Sequence, residues 1–174
     1  MKYNMTILKK SIGMLALAWG IPSAMVAQNQ GSHLMIAMGG AYPRTLESTI
    51  SYEKEMLYHN AWEYFATYSV QYDEDPEAKH ITRKSFWHNH NTWGVGAVYK
   101  PCVGRGRNHH GSLRIGASAG SDFHKAIGAV HVGYEHTYSL YDGWSVFFAI
   151  KEDISIRGKD RFKTGINLGA KIPL

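Results

Sequence analysis

Residues 128–174, GAVHVGYEHTYSLYDGWSVFFAIKEDISIRGKDRFKTGINLGAKIPL, decide the fold. Three segments of this stretch alternate apolar residues with polar or small ones. In the first, Val130, Val132, Tyr134, Tyr138 and Leu140 lie opposite His131, Gly133, Glu135, Thr137 and Ser139. After Asp142-Gly143, the second sets Trp144, Val146, Phe148, Ile150, Ile154 and Ile156 against Ser145, Phe147, Ala149, Lys151, Asp153, Ser155 and Arg157. The third places Phe162, Ile166, Leu168, Ala170 and Ile172 opposite Arg161, Lys163, Gly165, Asn167, Gly169 and Lys171. A period of two over segments this long specifies strands whose two faces meet different environments.

The same rhythm continues upstream. His33 to Tyr42 reads as a first strand, ended by Pro43-Arg44-Thr45. Leu46 to Leu57 is a second in which Glu53-Lys54-Glu55 blurs the pattern, so a short amphipathic helix is the rival reading. Ala61 to Tyr72, Asn91 to Lys100 and Ser112 to Ser121 alternate clearly, which brings the total to eight strands. Among the connections, Asp73 to His90 is polar, broken by Pro76 and the longest, while Val103 to Gly111 is basic and glycine-rich. No internal repeat and no domain linker interrupts the pattern.

Residues 1–27 have the layout of an export signal: Lys2, Lys9 and Lys10, an apolar run from Ser11 to Val26, and a cut expected after Ala27. That segment holds three lysines and no acid, so the formal net charge of +5 falls to +2 for residues 28–174. The basic balance is therefore no argument for direct nucleic-acid binding. Cys102 is the only cysteine, which excludes an intrachain disulfide. Past residue 27 there is no run of eighteen apolar residues, the signature of a membrane-spanning helix. The exported domain, 28–174, is then either a soluble barrel or a barrel in the outer membrane.

Which face is wet separates the two, because both present one apolar and one polar face. Gly94, Gly96, Gly116, Gly120, Gly133, Gly165 and Gly169 all fall on the polar face. Glycine on the outside of a soluble barrel only weakens the strand. Inside a narrow eight-stranded barrel it relieves crowding, here beside Glu63, Arg114, Glu135, Lys151 and Lys163, whose mixed signs allow pairing across the lumen. Trp62, Tyr72, Trp93, Tyr99, Tyr138 and Trp144 stand at or near strand ends on the apolar face, as membrane interfaces favour. Eight membrane strands of roughly 9–11 residues fit the chain length. These features predict an all-β, eight-stranded, antiparallel up-and-down barrel of the outer-membrane type, with outer-membrane lipid around it and both ends in the periplasm. The alternative is a secreted soluble barrel that binds a small apolar ligand in an interior lined by Trp62, Tyr64, Val132, Phe148 and Ile166.

Motifs for chemistry are sparse. His88-Asn89-His90 and His109-His110 are the closest histidine spacings, fall in connections on opposite sides of the barrel, and read as solvated loop residues with no metal assigned. His131 and Glu135 share a lumen face, with Asp153 nearby, and Ser118, Ser139 and Ser145 are nucleophiles by residue type only. An ion-pair network accounts for these groups, so no catalytic residue is assigned and the chain is read as a non-enzyme. A lipid-modifying enzyme would require His131 or Glu135 for activity. Arg105-Gly106-Arg107 suits a flexible connector as well as a phosphate site, and no nucleotide or cofactor fingerprint occurs.

Trp93-Gly94-Val95-Gly96, Gly116-Ala117-Ser118-Ala119-Gly120, Val132-Gly133-Tyr134-Glu135 and Gly165-Ile166-Asn167-Leu168-Gly169 together resemble the conjugative-transposon TraO family of Gram-negative bacteria. The similarity runs from the strand at Ile36–Tyr42 to the end. It implies a component of the apparatus that moves a mobile element between cells, placed at the outer membrane and working on other transfer proteins. The resemblance carries no active-site residues.

Overall fold

The computed structural model describes residues 31–75, 78–87, 90–156, 158 and 160–174, so the expected export signal and His88-Asn89 lie outside the described residues. Long alternating segments become long strands: β1 (Ser32–Tyr42), β2 (Thr45–Glu55), β3 (Ala61–Gln71), β4 (His90–Lys100), β5 (Cys102–Arg105), β6 (His109–Ser121), β7 (Ala126–Ser139), β8 (Ser145–Ile156) and β9 (Phe162–Pro173). Each is antiparallel to its neighbours. The sheet closes because β1 pairs with β9 and β4 pairs with β6. Eight strands form the barrel wall, and the short β5 is a ninth laid on the edge of β6.

β5 corrects the reading of residues 103–111 as an irregular connector. β4 covers β6 only from Ile115 to Ser121, which would leave the lower edge of β6 bare. The chain folds back and fills that edge, with Cys102 opposite Ser112 and Arg105 opposite His110 across a bulge. A strand of four residues containing a glycine is too short to carry a period of two, which is why alternation does not reveal it.

In β2 the triplet Glu53-Lys54-Glu55 stays extended and the helical reading falls away. Glu53 turns inward, 3% exposed, and Lys54 outward, so the charges obey the alternation that they had seemed to break. At one end of the barrel lie a 3₁₀ turn (Leu57–His59), the β5–β6 hairpin and the Tyr141–Gly143 turn. We call this the turn end; both Ser32, opposite Lys54 of β2, and Pro173, opposite His33 of β1, are there. The opposite, loop end carries residues 72–75 and 78–87 with a single helical turn, α1 (Arg83–Trp87), and the tight loop 122–125. In that loop the Asp122 carboxylate accepts from the backbone N–H of Lys125 at 2.8 Å and of His124 at 3.1 Å. Those bonds, Lys125 first, hold its carboxyl below the usual aspartate range.

Ile36, Ile50, Val95, Ile115, Val132, Ile150 and Ile166 form a continuous band around the outside, each 44–52% exposed. A wall closed through its eight strands, with an apolar exterior, is what hydrocarbon demands of strands, since backbone groups facing lipid must be hydrogen-bonded within the sheet. Aromatic side chains border the band at both ends. Trp62 and Tyr99 are direct cross-strand partners at the turn end, 5.1 Å apart, and Tyr68 faces Trp93 at the loop end. Tyr72 behaves differently from the expectation: it leaves the wall and stacks on Phe86 of α1 at 5.6 Å.

The alternative of an apolar ligand pocket is overturned by the same geometry. Trp62, Val132, Phe148 and Ile166 project outward, between 36% and 52% exposed, and Tyr64, two residues along β3 from Trp62, shares that outer face. The interior instead holds a small apolar group, Met35, Ala37, Phe147 and Ala149, among buried charges.

Two inward glycines explain how rings fit beside those charges. A Cβ on Gly96 would meet Phe65 Cζ and Ser118 Cβ, both at 2.7 Å; one on Gly169 would meet Phe147 Cζ at 2.5 Å and Cε1 at 2.6 Å. Gly169→Val is expected to cost about 1–3 kcal/mol through overpacking, read in detergent micelles as a lower urea midpoint with unchanged slope. The same exchange at Gly104, where an added Cβ meets nothing within 4 Å, should move stability by less than about 0.5 kcal/mol.

Candidate functional site

Alternation concentrates titratable groups in the lumen, and the strand register sorts them into two layers. The layer nearer the turn end is built on Lys100, the last residue of β4 and 1% exposed. Its Nζ contacts the carboxylates of Glu53, Glu63 (3.1 Å) and Glu135 (2.8 Å). Arg114 reaches Glu63 at 2.9 Å and also Glu135, and Lys171 bonds both Glu53 and Glu135 at 2.8 Å. Three carboxylates from β2, β3 and β7 thus meet three cations from β4, β6 and β9, with every member shared. Buried charge is tolerable only when paired and hydrogen-bonded in this manner.

The second layer lies toward the loop end. Lys151 bridges Glu47 at 2.5 Å and Asp153 at 3.0 Å. Asn167 and Ser69 add hydrogen bonds to Glu47 at 3.3 and 3.5 Å. His131 contacts Asp153 Oδ1 through Nδ1 at 2.6 Å and Ser118 Oγ through Nε2 at 2.7 Å, its ring edge-on to Phe65. Between the layers is a cavity of about 30 Å³, bounded by Glu63, Phe65, Arg114, His131 and Lys151. A larger one of about 70 Å³ reaches from Ser118 and His131 up to His90, Ser155 and Gly158 at the loop end. Spaces of that size hold a few waters at most. The first layer therefore stands as a plug across the lumen.

Several residues singled out from the sequence separate in space. Glu135 belongs to the plug, whereas His131, four positions along, belongs to the upper layer. Of the three serines, only Ser118 meets a histidine through its hydroxyl; Ser139 and Ser145 face each other across β7 and β8 at the turn end. Lys163 lines the upper cavity and stays out of the plug. Glu47, Glu53, Lys100 and Lys171 are the network members that a search for pairs around Glu63, Arg114, Glu135, Lys151 and Lys163 misses. Their signal is parity alone: each sits in step with the inward residues of its strand.

At the turn end the adjacent His109 and His110 point opposite ways, as neighbours on a strand must. His110 stacks on His59 at 4.7 Å, and His109 lies outside against His136 at 5.2 Å and Tyr138 at 5.8 Å. Arg105 on β5 covers the ring of Tyr58 at 5.6 Å, which fastens the hairpin to the neighbouring turn. Beyond that anchor Val103, Arg105 and Arg107 stand exposed.

The chain matches no protein family and no curated protein. Among solved structures it is similar to a major outer membrane protein from Thermus thermophilus, with a TM-score of 0.57 and 10% identity over 84% of this chain and all of that one. Neisserial surface protein A gives 0.54 and 10% identity over 83% of this chain and 96% of that one. A de novo designed transmembrane β-barrel gives 0.50 and 9% identity over 85% of this chain and 100% of that one. At such identities the likeness is one of fold: an eight-stranded antiparallel barrel of the outer-membrane type.

Proposed function

We propose that this chain is a barrel of the Gram-negative outer membrane, exported through a signal at residues 1–27, that serves a conjugative transfer apparatus. Its role in transfer is non-enzymatic and is exerted on other transfer proteins through the loop end and the turn end, without direct contact to nucleic acid. Lipid is the partner of the apolar band. With an exported N-terminus and an even number of wall strands, the turn end faces the periplasm and the loop end faces outward. The observation that carries this reading is the plug. A lumen crossed by six mutually paired charges conducts nothing large, which leaves the parts projecting beyond the wall to do the work. The assignment to transfer rests on the resemblance of the four glycine-containing segments to the TraO family.

Two projections suit contact with partners. At the loop end, α1 presents Trp87, and the approach to it is held by Arg44, whose guanidinium pairs with Asp73 at 2.9 Å and Glu74 at 3.0 Å. At the turn end, the β5–β6 hairpin presents Arg105 and Arg107. Replacing residues 73–90 or 101–111 with glycine-serine linkers of equal length should abolish mating transfer, while the barrel keeps its heat-modifiable mobility on gels. Normal transfer frequency with both segments replaced would sink the proposal.

A further inference from the structure

The upper layer contains an arrangement that a structural ion network does not require. Asp153 lies directly opposite His131 in the β7–β8 ladder, and Ser118 is two residues past His131's partner Gly116 in the β6–β7 ladder. All three side chains face the lumen. His131 Nδ1 lies 2.6 Å from Asp153 Oδ1 and Nε2 lies 2.7 Å from Ser118 Oγ; in the neutral imidazole that donates to the carboxylate through Nδ1, Nε2 is the acceptor for the hydroxyl. Lys151 holds the other Asp153 oxygen at 3.0 Å, and Phe65 stands edge-on to the imidazole at 5.3 Å. The ring is thus held in position by groups on three other strands. A serine, an acceptor imidazole and an orienting carboxylate in this order form a nucleophile with its general base.

We propose that Ser118 is a nucleophile activated by His131 and oriented through Asp153, and that it accepts acyl groups from short-chain esters entering at the loop end. The size of the opening sets the substrate class. The cavity of about 70 Å³ that runs from Ser118 to Ser155 and Gly158 limits the acyl group to two or three carbons, with the alcohol portion extending out at the loop end. Ser118 Oγ attacks the carbonyl carbon as its proton passes to His131 Nε2. The bond to the alcohol oxygen then breaks, and His131 returns the proton to that leaving oxygen. Water, deprotonated by the same imidazole, attacks the acyl-serine, releases the carboxylic acid and restores the hydroxyl. The backbone N–H groups of β6, β7 and β8 are taken up by the ladders. Charge on the carbonyl oxygen therefore falls to Lys151 and Lys163, which line the same cavity. This activity is independent of the role in transfer, which the projecting segments carry.

The test uses the full-length protein purified in detergent micelles, with its fold verified by heat-modifiable mobility. A small fluorophosphonate probe, followed by peptide mass spectrometry, should modify Ser118 and leave Ser139 and Ser145 unmodified. S118A should carry no label, and H131Q should slow labelling roughly a hundredfold, the worth of a positioned base. p-Nitrophenyl acetate hydrolysis should fall in step in both variants. D153N should lower the rate and shift its pH profile, a readout that a merely structural carboxylate would not move. An unmodified Ser118 in the folded wild-type barrel overturns the proposal, as does equal labelling in folded H131Q. Acetate transfer that maps to lysines and persists in S118A overturns it as well.

Discussion

Lys100→Met is expected to lower the unfolding free energy of the barrel by about 3–5 kcal/mol, the usual cost of removing one partner from a buried ion pair. The ammonium is at the centre of the plug, 1% exposed, with carboxylates of Glu53, Glu63 and Glu135 around it. Its loss leaves these three acids facing only Arg114 and Lys171, an excess negative charge where water does not reach. Methionine fills most of the volume, so packing contributes little to the effect. Equilibrium urea unfolding in micelles, followed by tryptophan fluorescence, measures the loss. Adding Glu135→Gln to Lys100→Met restores a balance of two acids and two cations and should recover about 0.5–3 kcal/mol, the coupling typical of neighbours in one network. Lys125→Met, in the exposed loop between β6 and β7, should stay within about 0.5 kcal/mol of the parent. A Lys100 variant as stable as the parent would mean that the plug is open to solvent.

The position of Lys100 also explains how far the sequence could be read. Alternation placed the wall strands to within a few residues, because a period of two persists wherever one face meets lipid and the other a crowded lumen. It also put Glu63, Arg114, Glu135 and Lys151 on the inner face. Alternation fixes parity, however, and not height. Whether Glu135 meets His131 or Lys100 depends on the stagger between strands, which no single segment encodes. The closing register of β1 on β9 brings Lys171 level with Met35, and Met35 Sδ is 3.9 Å from Lys100 Nζ. Met35 and Lys100 are 65 residues apart in the chain, and Lys171 comes from its far end. β5 was illegible for a different reason: it exists to pair an edge left bare by β4, a property of the closed sheet and of no local pattern. The alignment of Ser118 with His131 and Asp153 is a matter of stagger as well, across three strands that read as unrelated segments.

The apolar band makes the second large prediction, and it separates a membrane barrel from any water-soluble one. Ile150 lies midway along β8, between Tyr134 of β7 and Ile166 of β9, with its side chain outward. In water, replacing so exposed an isoleucine with lysine is nearly neutral, because the ammonium keeps its hydration. At the middle of a bilayer the same change costs about 2–4 kcal/mol, since the charge must be drawn to an interface or must thin the lipid around it. Ile150→Lys should therefore destabilise the barrel by that amount in phosphatidylcholine vesicles. Ile156→Lys, on the same face but at the loop end of β8, should cost no more than about 1 kcal/mol. The gradient from Ile150 to Ile156 is the decisive quantity. Hydrophobic burial against a protein partner would penalise both positions by contact area alone. Only a hydrocarbon slab, with its sharp dependence on depth, makes the cost fall this steeply over half a strand. Reversible folding into vesicles, titrated with urea, would measure both variants, and equal losses at the two sites would remove lipid as the partner of this surface.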